Sequence, residues 1–209
     1  MKLKSLFALS FVPLLFGLAS CSKPSGPVTT ADQIKEAKTV LTGDVVVNAH
    51  AYMKGNLLTG LPTGAPMKYT FSWKGDDALH LALNEFAVAN MPLQLFFNID
   101  LNVIPRNKWE REEMEGNDWI KFYGDNGVTT FKSINPKVPA LDDGNGGKVT
   151  MYYNVKTRQI ELSLDFNTQT ITTEVPLQVV DPSRAARYEE ELLKYAEEFA
   201  KWKAEQGRP

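Results

Sequence analysis

Residues 67–83 read MKYTFSWKGDDALHLAL and predict two β-strands joined by a tight turn. Apolar and polar side chains alternate from Met67 to Lys74, which is the period of a strand with one buried face. Gly75-Asp76-Asp77 supplies turn residues, and leucine at every second position of residues 79–83 repeats the alternation on the return. We therefore expect an antiparallel hairpin at this place in the chain.

The same period of two continues on both sides of the hairpin. It predicts further strands at residues 45–51, 93–103, 119–123, 128–134, 149–155, 160–166 and 171–180. Asn126-Gly127 is a strong turn signal, so a second hairpin is expected around it. The strand at 93–103 exceeds the usual strand length and is expected to bend. Pro176 indicates an edge or a bulge in the last strand.

The order of the strands predicts the fold class. Residues 105–118 and 135–147 are expected to be irregular connections, and no predicted helix separates two strands, which excludes a parallel α/β sheet. About eight or nine antiparallel strands in sequence order form a meander. Closing the meander into a barrel removes its exposed edges, so we expect one mainly β, barrel-like domain over residues 30–209.

Two helices are expected to flank the strands. A short N-terminal helix starts at the capping box Thr30–Gln33 and ends near Gly43. A C-terminal amphipathic helix over about residues 182–206 follows Asp181 as N-cap. Its apolar stripe consists of Ala185, Tyr188, Leu192, Tyr195, Phe199 and Trp202. The stripe either packs on the domain's own sheet or forms a partner surface, because such a stripe is unfavourable when exposed in a monomer.

The first twenty residues have the pattern of a secretory signal peptide. Lys2 and Lys4 precede a short apolar run at residues 6–16, which is too short for a membrane-spanning helix. The following Leu18-Ala19-Ser20-Cys21 resembles the lipobox of bacterial lipoproteins. That resemblance implies cleavage after residue 20 and attachment of acyl chains such as palmitate at Cys21; the alternative is an ordinary cleaved signal with a free cysteine. Several acyl chains hold a protein on a bilayer far better than one.

Residues 21–29 contain proline, glycine and serine without periodicity and are expected to be a flexible tether. Some Bacteroidetes lipoproteins carry acidic residues directly after the cysteine as a surface-export signal, whereas Lys23 and Pro24 stand there in this chain. The resemblance therefore favours a lipid-anchored protein of the cell envelope, on the outer membrane and facing the periplasm.

Several features together resemble a known group of proteins. These are the lipobox, the capped helix, Leu41-Thr42-Gly43 before the first strand, and the apolar strand after Asn90-Met91-Pro92. In combination they resemble small Bacteroidetes lipoproteins with a calycin-like (lipocalin-like) β-barrel domain. The resemblance covers most of the mature chain and implies the fold without an activity. The lipocalin Gly-x-Trp signature is missing, because Asp44 and Val45 follow Gly43, so no ligand-binding residues carry over.

Composition narrows the possible partners. Cleavage of the signal removes two of the 23 Lys and Arg residues. The mature chain then has 21 Lys and Arg residues and 25 Asp and Glu residues, so its net charge is about −4. This balance, without a basic stripe, argues against nucleic acid. Cys21 is the only cysteine, so no internal disulfide can form and the fold depends on packing.

The residues that could carry chemistry do not form a known motif. His50 and His80 are the two histidines, and each lies opposite the apolar residues of its strand. No metal site, cofactor or Ser-His-Asp triad is predicted. The acidic turn at residues 142–147 fails as an EF-hand, because Lys148 takes the place of its central glycine.

An acidic cluster lies in the charged connection before residue 119. Paired carboxylates beside aromatic rings could bind or hydrolyse a sugar. Basic side chains lie between them, however, so a solvated loop is favoured. The residues concerned are Lys108, Trp109, Glu110, Arg111, Glu112, Glu113, Glu115 and Trp119.

Two classes of function remain, with an enzyme ranked third. The first is a non-enzymatic module that binds a small apolar or sugar-like ligand inside the barrel, in a cavity of more than about 300 Å³. Its walls would be Tyr69, Phe71, Trp73, Leu81, Leu95 and Phe97. The alternative is a structural or interaction protein of the envelope, in which these side chains pack solidly and a partner docks on the C-terminal helix or a sheet face.

Overall fold

The computed structural model describes residues 29–87, 93–134, 136–137, 142–168 and 171–207, without the side chain of Leu93. The predicted signal peptide at 1–20, the acylated Cys21 and most of the tether lie outside the described residues and remain predictions. Among the described residues, no helix combines the length and apolar character needed to span a bilayer.

Nine strands and three α-helices make up the described part of the chain. The strands are β1 (Gly43–Met53), β2 (Asn56–Leu57), β3 (Ala65–Lys74), β4 (Ala78–Phe86), β5 (Leu93–Ile104), β6 (Trp119–Ser133), β7 (Gly144–Asn154), β8 (Gln159–Asp165) and β9 (Ile171–Val179). The helices are α1 (Ala31–Val40), α2 (Lys108–Glu113) and α3 (Tyr188–Glu205), and a 3₁₀ segment at Pro182–Arg187 precedes α3.

The strands form a closed antiparallel barrel. Neighbours in the sheet follow the order β1, β3, β4, β5, β6, β7, β8, β9, and β9 pairs with β1 to close the ring of eight. β2 is a short additional strand on β1. The predicted mainly β meander is therefore confirmed, with a short N-terminal helix and a C-terminal helix outside the ring.

The hairpin at residues 67–83 has the predicted register. Tyr69 lies opposite Leu83, and Phe71 lies opposite Leu81. All four of these side chains point inward and are buried. Burial of each such side chain contributes roughly 1.5–3 kcal/mol, so the alternation itself selects which face of the strand turns toward the core.

The second predicted hairpin, around Asn126-Gly127, is wrong. Residues 119–133 form the single strand β6, which continues through these residues with shifts of register between Gly124 and Val128. A two-residue type I′ turn requires a positive φ at both central residues, and neither Asn126 nor Gly127 has one. The pair belongs to a β-bulge.

Two predicted irregular connections also contain regular structure. Residues 108–113 form α2, whose capping box joins the Asn107 side chain to the Glu110 N–H and the Glu110 carboxylate to the Asn107 N–H. β7 begins at Gly144, five residues before the predicted strand. The long strand β5 has the expected irregularity, a shift in its pairing with β6 between Asn98 and Asn102.

One end of the barrel is closed by α1, and we call it the α1 end. Ile34, Ala37 and Val40 of α1 join the hydrophobic core. The indole N–H of Trp73 donates a hydrogen bond of 2.7 Å to the carbonyl of Leu41 just after the helix. The turn at residues 75–77 and the connection at residues 105–118 lie at the same end, because both join strands there.

The C-terminal stripe packs on the protein's own barrel. Leu192, Phe199 and Trp202 pack against the core, and Tyr195 belongs to it. The Tyr195 hydroxyl donates to the carbonyl of Thr59 at 2.8 Å, and the Phe199 ring lies directly on the backbone of Gly60. Of the two alternatives for the stripe, the intramolecular one is therefore observed.

Substitution of Gly60 by alanine is expected to lower the free energy of unfolding by about 1–3 kcal/mol. Gly60 has a φ of +67°, and a Cβ atom there would lie 2.3 Å from the Phe199 ring. Gly55→Ala is the matched control, because Gly55 has a φ of +76° and open space at the Cβ position. Urea denaturation should give the larger loss for Gly60→Ala, and equal losses would contradict tight packing of α3.

Candidate functional site

The barrel interior is filled by the side chains that were expected to line a ligand cavity. Tyr69, Phe71, Leu81, Leu95 and Phe97 are at most 1% exposed, and Trp73 is half-buried. A cavity that admits even water would leave its walls accessible. The rings pack edge to face instead, with centroid distances of 5.2 Å for Phe97–Phe166 and 5.9 Å for Trp73–Phe122.

Phe97 fits the interior so closely that two glycines are required beside it. A Cβ atom on Gly127 would lie 2.3 Å from the Phe97 ring, and one on Gly147 would lie 2.6 Å from it. Both distances are far below van der Waals contact, so the phenyl ring occupies the space that side chains at these positions would need. The contact with Phe97 therefore explains the presence of Gly127, which suggested a turn when only the sequence was considered.

The closure between β9 and β1, which we call the seam, is only partly made by backbone. Main-chain pairing of the two strands runs from His50–Glu174 to Met53–Ile171 and stops there. On its other side, β9 pairs with β8 at Leu162–Val175 and again at Ile160–Gln178, which leaves Pro176 and Leu177 in a bulge. Proline has no N–H to donate, so the ladder cannot continue through it.

A side chain completes the seam where the backbone fails. The N–H of Asn48 donates to Oε1 of Gln178 at 2.8 Å, and Nε2 of Gln178 donates to the Asn48 carbonyl at 2.8 Å. This double exchange copies a hydrogen-bonded pair of an antiparallel ladder. Arg184 of the 3₁₀ segment donates to Oδ1 of Asn48 at 2.7 Å and to Glu191 of α3 at 2.6 Å. The seam is thereby attached to the C-terminal helix.

Gln178→Ala is expected to lower the free energy of unfolding by about 1–2 kcal/mol, because the two hydrogen bonds to Asn48 and a third, from Nε2 to the Pro176 carbonyl at 3.1 Å, are lost. Amide hydrogen exchange at Asn48 should accelerate in the same variant, since its N–H loses its acceptor. Gln178→Glu is the control, because the carboxylate still accepts from that N–H and only the bonds donated by Nε2 are lost. Unchanged exchange at Asn48 in Gln178→Ala would contradict this description of the seam.

A groove of about 260 Å³ lies on the outer face of the barrel beside the bulge, and we call it the seam groove. Cross-strand neighbours line it: Tyr152 lies opposite Glu161, Ser163 lies opposite Glu174, and Glu174 lies opposite His50. Four strands therefore contribute, and Pro176 completes the rim. β-Bulges of this kind are frequent next to functional sites because they redirect side chains.

The seam groove contains polar groups that the described part of the chain does not satisfy. Nδ1 of His50 is buried and has no hydrogen-bond partner among the described residues. Glu161 and Glu174 form no ion pair with any residue that the structure describes. Burial, assisted by the nearby carboxylate of Glu113, raises the pKa of Glu161. Unpaired polar groups in a cleft are a physical mark of a binding site.

The predicted acidic cluster separates into one structural carboxylate and three exposed ones. Glu110 accepts hydrogen bonds from the Lys121 ammonium, from the Tyr152 hydroxyl at 2.8 Å and from the Asn107 N–H at 2.6 Å. Burial alone would raise the pKa of Glu110, but these donors outweigh it and the net pKa is lowered. Burial, followed by the bond to Glu110, raises the pKa of Tyr152. Glu110 therefore holds α2 on the barrel wall and is not part of a solvated loop.

The remaining residues of the cluster are open to solvent or structural. Glu112, Glu113 and Glu115 are exposed. Trp119 is buried, whereas 74% of Trp109 is exposed. Glu110 is held by three donors and is therefore not a free carboxylate that could act on a sugar.

The two histidines do not meet. His50 lies on β1 in the seam groove, and His80 lies on β4, where its Nδ1 is 2.6 Å from Oδ1 of Asp100. Lys74, followed by His80, lowers the pKa of Asp100. Within the described residues, no group of three or more His, Cys, Asp or Glu side chains is arranged to hold a metal ion.

Fold and groove together define a small closed antiparallel barrel that has a packed interior and an outer cleft at its seam. The chain belongs to the family described as a domain of unknown function, DUF4903, whose model matches residues 23–207. No curated protein and no solved structure matches the chain.

Proposed function

We propose that this protein is a lipid-anchored, non-enzymatic interaction protein of the bacterial cell envelope that binds a partner on the outer face of its barrel, at the seam. The observation that carries the proposal is the packed interior around Phe97, which leaves no room for a ligand among the described walls. Stable barrels without an internal cavity must use their outer surface for recognition.

The outer surface beside the seam has the composition that suits a partner. Leu177 and Val179 are 51% and 59% exposed, and they follow Pro176 at the rim of the seam groove. Exposed apolar side chains next to unpaired polar groups are the usual composition of an interface core with a polar rim. Glu161 and Glu174 give this face a negative charge, so we expect a partner that presents cations to it.

The partner surface is testable by site-specific photo-crosslinking in living cells. Benzoylphenylalanine at Leu177 is expected to give a discrete protein adduct, and the charge reversal Glu161→Arg is expected to abolish it. Benzoylphenylalanine at Glu197, an exposed position on α3, is the control. An equal adduct at Glu197, or one that persists in Glu161→Arg, would refute the proposal.

Binding of a small ligand remains the second candidate function, and the unpartnered His50 in the seam groove favours it. A titration with the apolar fluorophore N-phenyl-1-naphthylamine tests whether the barrel has an internal ligand-binding site. We expect no saturable binding to the native barrel, because its interior is filled by side chains. Saturable one-to-one binding to the native protein would restore the interior carrier.

The anchor is a separate part of the proposal and rests on the sequence of residues 1–29. We propose acylation of Cys21 and a position on the outer membrane facing the periplasm, with residues 21–29 as the tether. Cells that express the protein should incorporate labelled palmitate into it. The Cys21→Ala chain should incorporate none, and label in that variant would remove the anchor from the proposal.

A further inference from the structure

From the position of Trp109 we infer that this side chain is a membrane contact, which inserts at the bilayer surface and orients the tethered barrel with its α1 end toward the lipid. The inference rests on the proposed lipid anchor at Cys21. It assigns a second, non-covalent attachment to the membrane and a fixed orientation of the seam groove relative to it.

Trp109 is the most exposed of the large apolar side chains on the described surface, with 74% of its area open to solvent. The other three tryptophans, Trp73, Trp119 and Trp202, are half-buried or buried. Indole rings combine a large apolar face with a polar N–H, and they concentrate where membrane meets water. The ammonium of Lys108 lies 5.9 Å from the centre of the Trp109 ring, so a cation that could pair with a lipid phosphate accompanies the indole.

The Trp109 side chain projects from a rigid support. Glu110, the next residue, fixes α2 to the barrel wall through Lys121 and Tyr152. Nε2 of Gln33 in α1 donates to the carbonyl of Asn117 at 2.5 Å, which ties the connection after α2 to the N-terminal helix. A contact made by Trp109 is therefore transmitted to the whole barrel.

An apolar depression continues this surface toward the tether. It has a volume of about 320 Å³, and its walls are formed by the apolar residues Ala31, Ile34, Val103, Ile104 and Pro105 together with Thr29, Thr30, Asp76 and Asp77. Thr29 is the first described residue of the chain, and Pro105 precedes Trp109 by four positions. The tether therefore joins the barrel at the same end as the exposed indole.

The length of the tether limits which end of the barrel can face the membrane. Thr29 lies eight positions after Cys21, and at about 3.3–3.6 Å per position this stretch reaches at most about 29 Å. β5 has 12 residues. At about 3.4 Å per residue and a tilt of about 40° it gives the barrel a height of about 30 Å. Even a fully extended tether is therefore only about as long as the barrel is high, which favours the α1 end over the opposite end as the one that faces the bilayer.

Charge does not oppose this orientation. Cations and anions are equal in number among residues 32–38, 74–77, 106–121 and 156–158, which form or border the α1 end, whereas the mature chain is net negative. Net charge therefore does not repel this end from an anionic leaflet. We expect contact with zwitterionic lipid and little dependence on salt, because neither this end of the barrel nor a zwitterionic leaflet carries a net charge whose attraction salt could screen.

The test uses the cysteine that the sequence provides. The chain from Cys21 to Pro209 is coupled through its only thiol to a maleimide-headgroup lipid in phosphatidylcholine vesicles, which reproduces the anchor without cellular acylation. The contribution of Trp109 is the difference in emission between this protein and Trp109→Phe. We expect that contribution to shift to shorter wavelength on coupling and to lose most of its intensity when the vesicles contain brominated lipid.

The control places a tryptophan elsewhere on the surface. Leu193, on the outward face of α3, is 64% exposed, and Leu193→Trp in the Trp109→Phe background should keep its emission with brominated lipid. Trp109 emission that is unaffected by brominated lipid and equally quenched by aqueous iodide before and after coupling would overturn the inference. Because coupling bypasses the cell, this failure is distinct from a failure of palmitate labelling at Cys21.

Discussion

Replacement of Phe97 by alanine is expected to lower the free energy of unfolding by about 3–5 kcal/mol. The ring is 1% exposed and lies edge-on to Phe166 at 5.2 Å. Its removal takes away both the burial of the ring and the contacts of its neighbours, and the surrounding β-ladder is too constrained to collapse into the space. Urea denaturation at neutral pH measures the loss, and a value below about 1.5 kcal/mol would contradict a closely packed interior.

The fit between Phe97 and its glycines can be tested by a double-mutant cycle. Gly147→Ala alone should be destabilising, because its Cβ would lie 2.6 Å from the Phe97 ring. The same substitution in a Phe97→Leu background should cost less, since the shorter side chain leaves room for the methyl group. The coupling between the two positions should reach about 0.5–3 kcal/mol. If the effects of the two substitutions were additive, a contact other than the one with Phe97 would be the reason for glycine at position 147.

Glu110→Gln is the second large effect and should lower the free energy of unfolding by about 1–3 kcal/mol at pH 7. The amide has one oxygen, so it can accept either from Tyr152, which uses Oε1 of Glu110, or from Asn107, which uses Oε2. The ammonium of Lys121, 13% exposed, also loses its carboxylate. The lowered pKa of Glu110 fixes the sign of the pH dependence. The stabilisation by the Glu110 carboxylate is complete when the pH is above its ordinary pKa of 4.5. It disappears as the pH falls through the lower pKa that Glu110 has in the folded protein.

The measurement is the difference in unfolding free energy between native protein and Glu110→Gln at pH 7 and in acid, where the difference should shrink. Glu112→Gln is the control on the same helix. Its carboxylate is exposed and lies 3.8 Å from Lys108, so its loss should change stability by no more than about 0.5 kcal/mol. Equal effects of the two substitutions would mean that Glu110 is an ordinary surface carboxylate.

The barrel was predictable from sequence because its signal is local and repeated. Each strand alternates over several residues, and the hairpin at 67–83 even determines its own register through the turn at residues 75–77. The short helix α2 carried a readable signal as well, since Asn107 and Glu110 have the spacing of a capping box. The many charged residues around Asn107 and Glu110 favoured the prediction of a solvated loop instead of a helix.

The errors and omissions arise from contacts between distant parts of the chain. Asn126-Gly127 has the composition of a turn, but the glycine is required by the Phe97 ring, thirty residues earlier. Pro176 indicated a bulge, and this was correct. The groove beside it could not be predicted, because His50 and Glu174 come together only when the two ends of the meander join. Closure of the meander was expected from the strand order, but the register in which β1 meets β9 is not recorded in a single sequence.

The way in which Gln178 joins Asn48 determines how this barrel comes apart. β1 and β9 are the first and last strands of the barrel. Separating them therefore opens the barrel into a sheet without breaking the pairing between any other two strands. Four residue pairs of the backbone and the carboxamide of Gln178 hold that junction together. The 3₁₀ segment adds a hydrogen bond from Arg184 to Asn48 and leads into α3. A chain that ended at Val180 would lack the 3₁₀ segment and α3 at this junction. We expect its junction to open more readily, which exposes the edges of β1 and β9 to pairing with other chains, and we expect it to aggregate more readily than the complete chain.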